Sequence, residues 1–280
     1  MNKVNLKNYN TYKINTSADY LYEVTSIINL QELIEKLNKS SIKYFILGSG
    51  SNVILPDNHF KGAIIKLKFN NFILKDDTSY VSADINLNEF IKKTLDHGYT
   101  NLVNLYGIPG TIGGALYGNA GAYKSFIFDF VESILIYNNG NIKLVNARNI
   151  KHGYRFANFQ ESDIILGATI NLVKGDTKDA WNKIKENMLI RKNTQPLDYP
   201  SAGSVFKNPP GLSAGKLIDE CGLKGFTNGG ATISKKHANF IINTNNAKSK
   251  DIIKLIEIVK EKVKREKNIE LEMEQKIIRW

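Results

Sequence analysis

Apolar positions recur along the chain at two periods, alternation and a 3.6-residue spacing, and these divide it into short strands interrupted by a few helices. Residues 20–24 read as a strand. The next helix is expected to open at Asn29 as cap, with Glu32 three positions on completing a capping box and Leu30, Leu33, Ile34 and Leu37 forming its apolar stripe. Residues 44–47 form a short buried strand that runs into GSGSNVIL. Residues 63–74 and 80–84 read as strands. Residues 87–97 read as a helix with Leu87, Phe90, Ile91 and Leu95 on one face and Gly98 as its stop. A hairpin is expected from 131–137 and 142–146 around Asn138-Asn139-Gly140, then a strand at 164–173. Helices follow at 177–191, closed by Gln195-Pro196, and at 249–267, where Ile252, Ile256, Val259 and Val263 keep helical spacing. The closing IELEMEQKII alternates, with Ile269, Leu271 and Met273 on one face and Glu270, Glu272 and Glu274 on the other. The chain is therefore α+β.

Composition narrows this picture. At 280 residues the chain can hold more than one domain, and 42% hydrophobic with 23% charged residues is ordinary for a globular protein. No apolar run approaches the ~20 residues of a membrane span, and MNKVNLKNYNTYK lacks the apolar core of a signal peptide. The expectation is a cytoplasmic protein with no membrane partner. A single cysteine, Cys221, excludes an internal disulfide, a CxxC pair and a thiolate metal cage. The net charge of +11 raises nucleic acid as a partner. The lysines are scattered among Asn and Ile, however, and the lysine-dense C-terminal helix is equally rich in Glu, so small anionic ligands suit the charge better.

Two glycine-rich segments carry the strongest local signal. GIPGTIGGALYGNAGAY, residues 107–123, holds six glycines in 17 residues against 21 in 280 for the chain. Such density is useful where backbone takes unusual dihedrals or approaches a ligand closely, and a turn without Cβ atoms can aim N–H donors at a phosphate. Upstream, Gly48-Ser49-Gly50-Ser51-Asn52 begins like a dinucleotide fingerprint, but Val53 stands where the third glycine belongs and no helix period follows. The segment is thus not a Rossmann loop, and no P-loop motif occurs. Two donor-rich loops in one chain suggest a shared anionic cofactor.

Side chains with chemical potential lie further on. Arg155 in YRFANFQ is set between aromatics, as suits an arginine held for carboxylate or phosphate recognition. Ser204 in PSAGSVFKNPPG follows a small-residue turn. In GGATISKKHANFIIN, His237 reads as a hydrogen-bonding residue, since no second ligand stands at metal spacing, and no metal site is expected. No Ser-His-acid constellation is recognisable. Periodicity does not choose among Glu270, Glu272 and Glu274.

Taken in order, LGSGSNVIL, GIPGTIGGALYGNAGAY, YRFANFQ, RKNTQP with PSAGSVFKNP, GLKG with GGATISKKHANFIIN, and LEME resemble the UDP-N-acetylenolpyruvoylglucosamine reductase (UDP-N-acetylmuramate dehydrogenase) family. With 49 positions between Arg155 and Ser204 the chain is similar to the shorter form, without an inserted tyrosine-bearing loop. The resemblance implies a two-subdomain FAD-binding fold of the vanillyl-alcohol oxidase type plus a C-terminal α+β substrate domain. Its expected boundaries are 1–75 and 76–175 for the FAD subdomains, 176–195 for a connecting helix and 196–280 for the substrate domain. It implies NADPH-dependent, FAD-mediated reduction of the enolpyruvyl group of a UDP-sugar, by a monomer that takes no nucleic acid.

By the same resemblance Arg155, Ser204 (the proton donor) and Glu274 are catalytic. Leu47, Gly48, Ser49, Gly50, Ser51 and Asn52, with Gly107, Ile108, Pro109, Gly110, Thr111, Gly113, Gly114, Asn119, Ala120, Gly121 and Ala122, would hold FAD. Tyr154, Lys207, Asn208 and His237 would contact substrate. The chain departs from the family pattern at Ile14 to Ala18, where a glycine pair is usual, at Lys124, where glycine is usual, and at Ala157, where serine is usual. It departs again after LEME, where Gln275-Lys276-Ile277-Ile278-Arg279-Trp280 differs from the usual Val-Arg and Gly endings. A different FAD-dependent oxidoreductase of this fold, acting on a sugar or alcohol, remains the alternative.

Overall fold

The protein is described by a computed structural model covering residues 3–279. Its contacts divide it into two compact units that are discontinuous in sequence. One comprises the residues up to Tyr20, Gly50–Gly62 and those from Ile190 on; the other comprises Leu21–Ser49 and Ala63–Leu189. The expected boundaries at 75, 175 and 195 follow chain order, whereas these units are assembled by strands and side chains that pair across long separations.

The central unit, from Leu21 to Leu189, is built on an antiparallel sheet in the order Asn141–Asn146, Val131–Asn138, Ile164–Asn171, Thr78–Ser82, Phe72–Lys75. The hairpin expected around Asn139-Gly140 is present, with Asn138 opposite Asn141 and both turn residues at positive φ, as a two-residue type I′ loop demands. A parallel pair sets Tyr44–Ile46 beside the strand Phe60–Leu67, with Tyr44 opposite Ala63 and Ile46 opposite Ile65. Helix α1 (Ile27–Lys39) begins two residues before the expected start, because Ser26 rather than Asn29 is the cap and accepts from the Asn29 N–H. Helix α2 (Leu87–Asp96) is capped by Asn86, which accepts from the N–H groups of Asn88 and Glu89. The single strand expected at 63–74 is two, since Asn70 turns at φ +53 between Phe60–Leu67 and Phe72–Lys75. Helix α3 (Ile112–Tyr117), hidden in the glycine stretch, had no periodicity to betray it. Helix α4 (Thr177–Thr194) carries the chain onward.

In the terminal unit, a three-stranded antiparallel sheet of Thr227–Asn228, Ala231–Ile233 and Ile241–Asn243 lies with α5 (Ala214–Glu220) and α6 (Ser249–Lys267). Helix α6 buries Ile252, Leu255, Ile256, Val259 and Val263, the expected stripe plus Leu255. These pack into one core with Tyr12, Ile54, Val205, Phe206, Ile218, Cys221 and Leu271. The closing alternation survives as a burial pattern without a continuous strand. Leu271 is buried and Glu272 exposed, but among the described residues the regular pairing here is Lys276–Ile277 parallel to Val53–Ile54. Phe206 and Met273 form an isolated antiparallel bridge. Among the described residues no helix is long and apolar enough to cross a membrane.

Candidate active site

In the central unit the two glycine segments meet. A Cβ on Gly48 would stand 3.1 Å from the Thr111 hydroxyl, so the loop after Tyr44–Ile46 and the loop before α3 pack backbone against side chain. The Lys66 ammonium donates to the Gly48 carbonyl. Burial, and then the neighbouring Lys68, hold the Lys66 pKa below the usual lysine range. An anion at this loop would restore the charge that burial disfavours. Leu47 is in the core, its N–H bonded to the Ile65 carbonyl.

The expectation that the whole 107–123 stretch cradles an anion is narrowed by where its donors go. Ile112 N–H bonds Ile85 O (2.9 Å), Gly113 N–H bonds Ala83 O (2.8 Å) and Gly114 N–H bonds the Thr111 hydroxyl (3.3 Å). The first turn of α3 is therefore spent on the protein itself. Gly113 serves close packing, because a Cβ there would come within 2.9 Å of the Ala83 Cβ. Asn88 clasps the segment ahead of it, accepting from Gly107 N–H at 2.6 Å and donating to Ile108 O at 3.4 Å. The Lys66 ammonium and the Thr111 hydroxyl thus both meet the backbone at Gly48. Gly50, Ser51 and Asn52 belong to the terminal unit, where Gly50 O accepts from both N–H and hydroxyl of Thr11.

Arg155 also lies in the central unit, at the tip of a hairpin that pairs His152 with Ala157 and Gly153 with Phe156. Its backbone is left-handed, φ +54, a conformation that costs a non-glycine residue ~1–3 kcal/mol and is kept where the surroundings impose it. Those surroundings are the glycine stretch. Arg155 Nη2 donates to Gly121 O at 2.8 Å, and Asn119 Nδ2 donates to Gly153 O at 2.8 Å. The guanidinium lies 5.3 Å from the ring centre of Tyr154, within cation–π range. Asn119 and Gly121 thereby support the arginine rather than simply lining a loop.

In the terminal unit the backbone of Glu274 pairs with Val205, the residue after Ser204. Ser204 bridges to Phe240, and the Phe206–Met273 bridge carried two residues on sets Ser204 opposite Gln275. Glu274 N–H donates to Val205 O at 2.9 Å, and Glu274 O accepts from Asn52 Nδ2 at 3.1 Å. Asn239 holds the other side. Its side chain exchanges two bonds with the Phe206 backbone, 2.9 and 2.8 Å, and its carbonyl accepts from Val205 N–H at 2.8 Å. Burial separates the three glutamates. The Glu270 and Glu272 side chains are 81% and 73% exposed and pair with Lys264 and Lys207, whereas Glu274 is half-buried.

The remaining expected substrate residues are well ordered by their neighbours. Lys207 pairs with Glu272 at 2.5 Å, and Asn208 Oδ1 accepts from Ala214 N–H at the start of α5. His237 packs edge-on against Phe240 and accepts at Nδ1 from Asn239 N–H (3.3 Å). Burial, then Lys224, holds its pKa below the ordinary histidine value. Cys221 is 3% exposed in the core, its thiol pushed up by burial and by Glu266, so it is a packing residue. A Ser-His-acid cluster that sequence did not suggest joins Ser17 to His59 Nδ1 (2.9 Å) and Asp19 to His59 Nε2 (2.7 Å). Both ring nitrogens are committed to binding one strand, and the partners stand some 40 positions apart, beyond any motif.

Comparison with known proteins gives the family. Residues 18–146 match the model of an FAD binding domain, and residues 195–278 match the UDP-N-acetylenolpyruvoylglucosamine reductase C-terminal domain. A reductase of that name from Caldanaerobacter subterraneus subsp. tengcongensis is 40% identical over 98% of this chain and 91% of its own. The chain belongs to the UDP-N-acetylenolpyruvoylglucosamine reductase family. A family member from Chlamydia felis is likewise 40% identical, over 98% of this chain and 92% of its own. A crystal structure of the Thermus caldophilus reductase superposes with a TM-score of 0.87 at 31% identity, covering 99% of this chain and 98% of that one. Membership makes the chain an FAD-dependent oxidoreductase of peptidoglycan precursor synthesis that draws on NADPH.

Proposed function

We propose that Arg155, Ser204 and Glu274 carry the reduction of the enolpyruvyl group of UDP-N-acetylglucosamine enolpyruvate to UDP-N-acetylmuramate. The observation that supports this reading is that half-buried Glu274 pairs by its backbone with Val205, the residue after Ser204, while Glu270 and Glu272 are solvated ion-pair partners. Bound FAD supplies the hydride chemistry, taken from NADPH and delivered to C3 of the enol ether. Charge then builds at C2, in conjugation with the substrate carboxylate. Arg155, a permanent planar cation, is suited to hold those oxygens as they become more negative. Ser204 gives its proton to C2, which completes the two-electron reduction; so weak an acid serves only when it is well placed against a strongly basic carbon. Glu274 assists at the same centre by holding a proton. Gly48-Ser49 and Gly110-Thr111, backed by Lys66, are assigned to the diphosphate of FAD, and Tyr154, Lys207, Asn208 and His237 to the UDP-sugar.

We place this activity in the cytoplasm, in a monomer. The lysines of α6 favour small anions over nucleic acid as partners, since Lys254, Lys264 and Lys267 lie within 3.4, 3.0 and 2.7 Å of Glu257, Glu270 and Glu220. The test separates the two half-reactions. Ser204→Ala should let NADPH bleach the flavin at the normal rate and slow reoxidation by the enolpyruvyl substrate by ~100-fold or more, the usual cost of one well-used transition-state group. Reoxidation at the unmutated rate would remove Ser204 from the chemistry.

A further inference from the structure

Gln275 is the residue that follows Glu274, and it is 3% exposed. Its amide reaches three partners. Nε2 donates to Ala202 O (3.0 Å) and Gly203 O (3.1 Å), and Oε1 accepts from the Tyr12 hydroxyl at 2.9 Å. Only one orientation of the amide satisfies this set, because both carbonyls require donors and the phenol must then donate. Tyr12 is fully buried, and burial drives its pKa well above the ordinary tyrosine value, so the hydroxyl keeps its proton. The Tyr12 backbone is anchored in turn, since Asn243 Nδ2 donates to the Tyr12 carbonyl at 2.8 Å and Asn243 Oδ1 accepts from Ala247 N–H at 2.8 Å.

The position of these bonds gives them a consequence beyond packing. Gly203 precedes Ser204 and sits at φ +75, a backbone that has freedom to swing. Gln275 holds the carbonyls of Ala202 and Gly203, and so fixes the peptide planes that lead into Ser204. The same residue is bonded through its neighbour to Val205 O and Asn52, which fix Glu274. A buried amide is costly to desolvate, and an apolar side chain would fill the space at less risk. Its return is direction, because hydrogen bonds fix orientation where apolar contacts do not.

We propose that Gln275, anchored by Tyr12, is a positioning residue that sets the Ser204 hydroxyl against Glu274 for the proton-transfer half of the reaction. The inference rests on the assignment of Ser204 and Glu274 to that chemistry. It applies to the oxidative half-reaction alone, because hydride uptake from NADPH asks nothing of Ser204.

The experiment uses full-length flavin-loaded protein carrying Tyr12→Phe, Gln275→Leu, or both, with Ser204→Ala as reference. Flavin bleaching by NADPH and reoxidation by the enolpyruvyl UDP-sugar are followed separately, alongside thermal unfolding. Gln275→Leu should bleach at the normal rate and reoxidise on the order of 10- to 100-fold more slowly, the cost of a misplaced reacting group, with the loss in kcat rather than KM. Tyr12→Phe should lose less, and the double variant no more than Gln275→Leu, because the phenol acts through the amide. Normal reoxidation in Gln275→Leu, or bleaching and reoxidation falling together, would overturn the proposal. Should Gln275→Leu fail to fold, Tyr12→Phe decides, and normal reoxidation there overturns it. If Ser204→Ala itself reoxidises normally, the assignment of Ser204 fails and the brace with it; slow Ser204→Ala beside normal Gln275→Leu sinks the brace alone.

Discussion

Lys124 occupies the second place of a two-residue turn that joins Gly121–Ala122 to Ser125–Phe126, with Tyr123 at φ +51 and Lys124 at φ +63. Both are left-handed, which explains why glycine is the usual family residue here. Lys124→Gly should stabilise the protein by about 0.5–1 kcal/mol, the relief of left-handed strain less the extra freedom of glycine in the unfolded chain. Urea unfolding checks this, and a destabilised variant would contradict it. His237 gives a prediction in pH. Its folded pKa lies below the unfolded value of about 6.5, so as pH falls through that value the unfolded chain takes up a proton the folded chain refuses. Stability is therefore lost as pH drops from about 6.5 toward the folded pKa, and is fully present only above about 6.5. His237→Gln should lose less stability than the parent between pH 7.5 and 5.5; equal losses would clear His237 of the effect. Among residues, Glu274 was legible only through the ordered motifs, since alternation treats it and its two neighbours alike. What distinguishes it physically is its half-burial, and its backbone partners Val205 and Asn52 are remote in sequence.

At the scale of elements, what was legible depended on local chemistry. Helix α6 runs over the expected residues because its stripe is self-contained, and the Asn139-Gly140 hairpin forms because the turn residues accept positive φ. Helices α3 and α5 escaped notice for a common reason. They have six and seven residues, too short for a period to emerge, and α3 is held by Ala83 and Ile85 rather than by its own glycine-rich sequence. Helix α2 bears directly on that support. Its cap, Asn86, follows Ile85 and bridges to Thr111, the cap of α3. Asn86→Ala should cost ~1 kcal/mol of stability with an unchanged denaturant slope. A loss well under half of that would mean that the Thr111 bridge, not the cap, holds this corner.

The whole molecule should register its cofactor as stability. A ligand present at 100 times its dissociation constant adds ~2.7 kcal/mol to the folded state, so thermal unfolding should rise clearly when FAD is added to flavin-stripped protein. Riboflavin, which lacks the diphosphate, should raise it far less if Gly48-Ser49, Gly110-Thr111 and Lys66 hold that group. Equal effects would remove those loops from cofactor binding. From sequence alone came the family and the flavin, and with them Arg155, Ser204 and Glu274 as candidates, because six ordered motifs constrain far more than any one spacing. The α+β class came too, since caps, turns and stripes act between near neighbours. The use of each group was decided by tertiary structure. It spends the α3 donors on Ala83 and Ile85, attaches Arg155 to Gly121, and joins Tyr12 to Gln275 across 263 positions. A hydrogen bond depends on which groups folding brings within about 3 Å of each other, and distances of that kind leave no period in the chain.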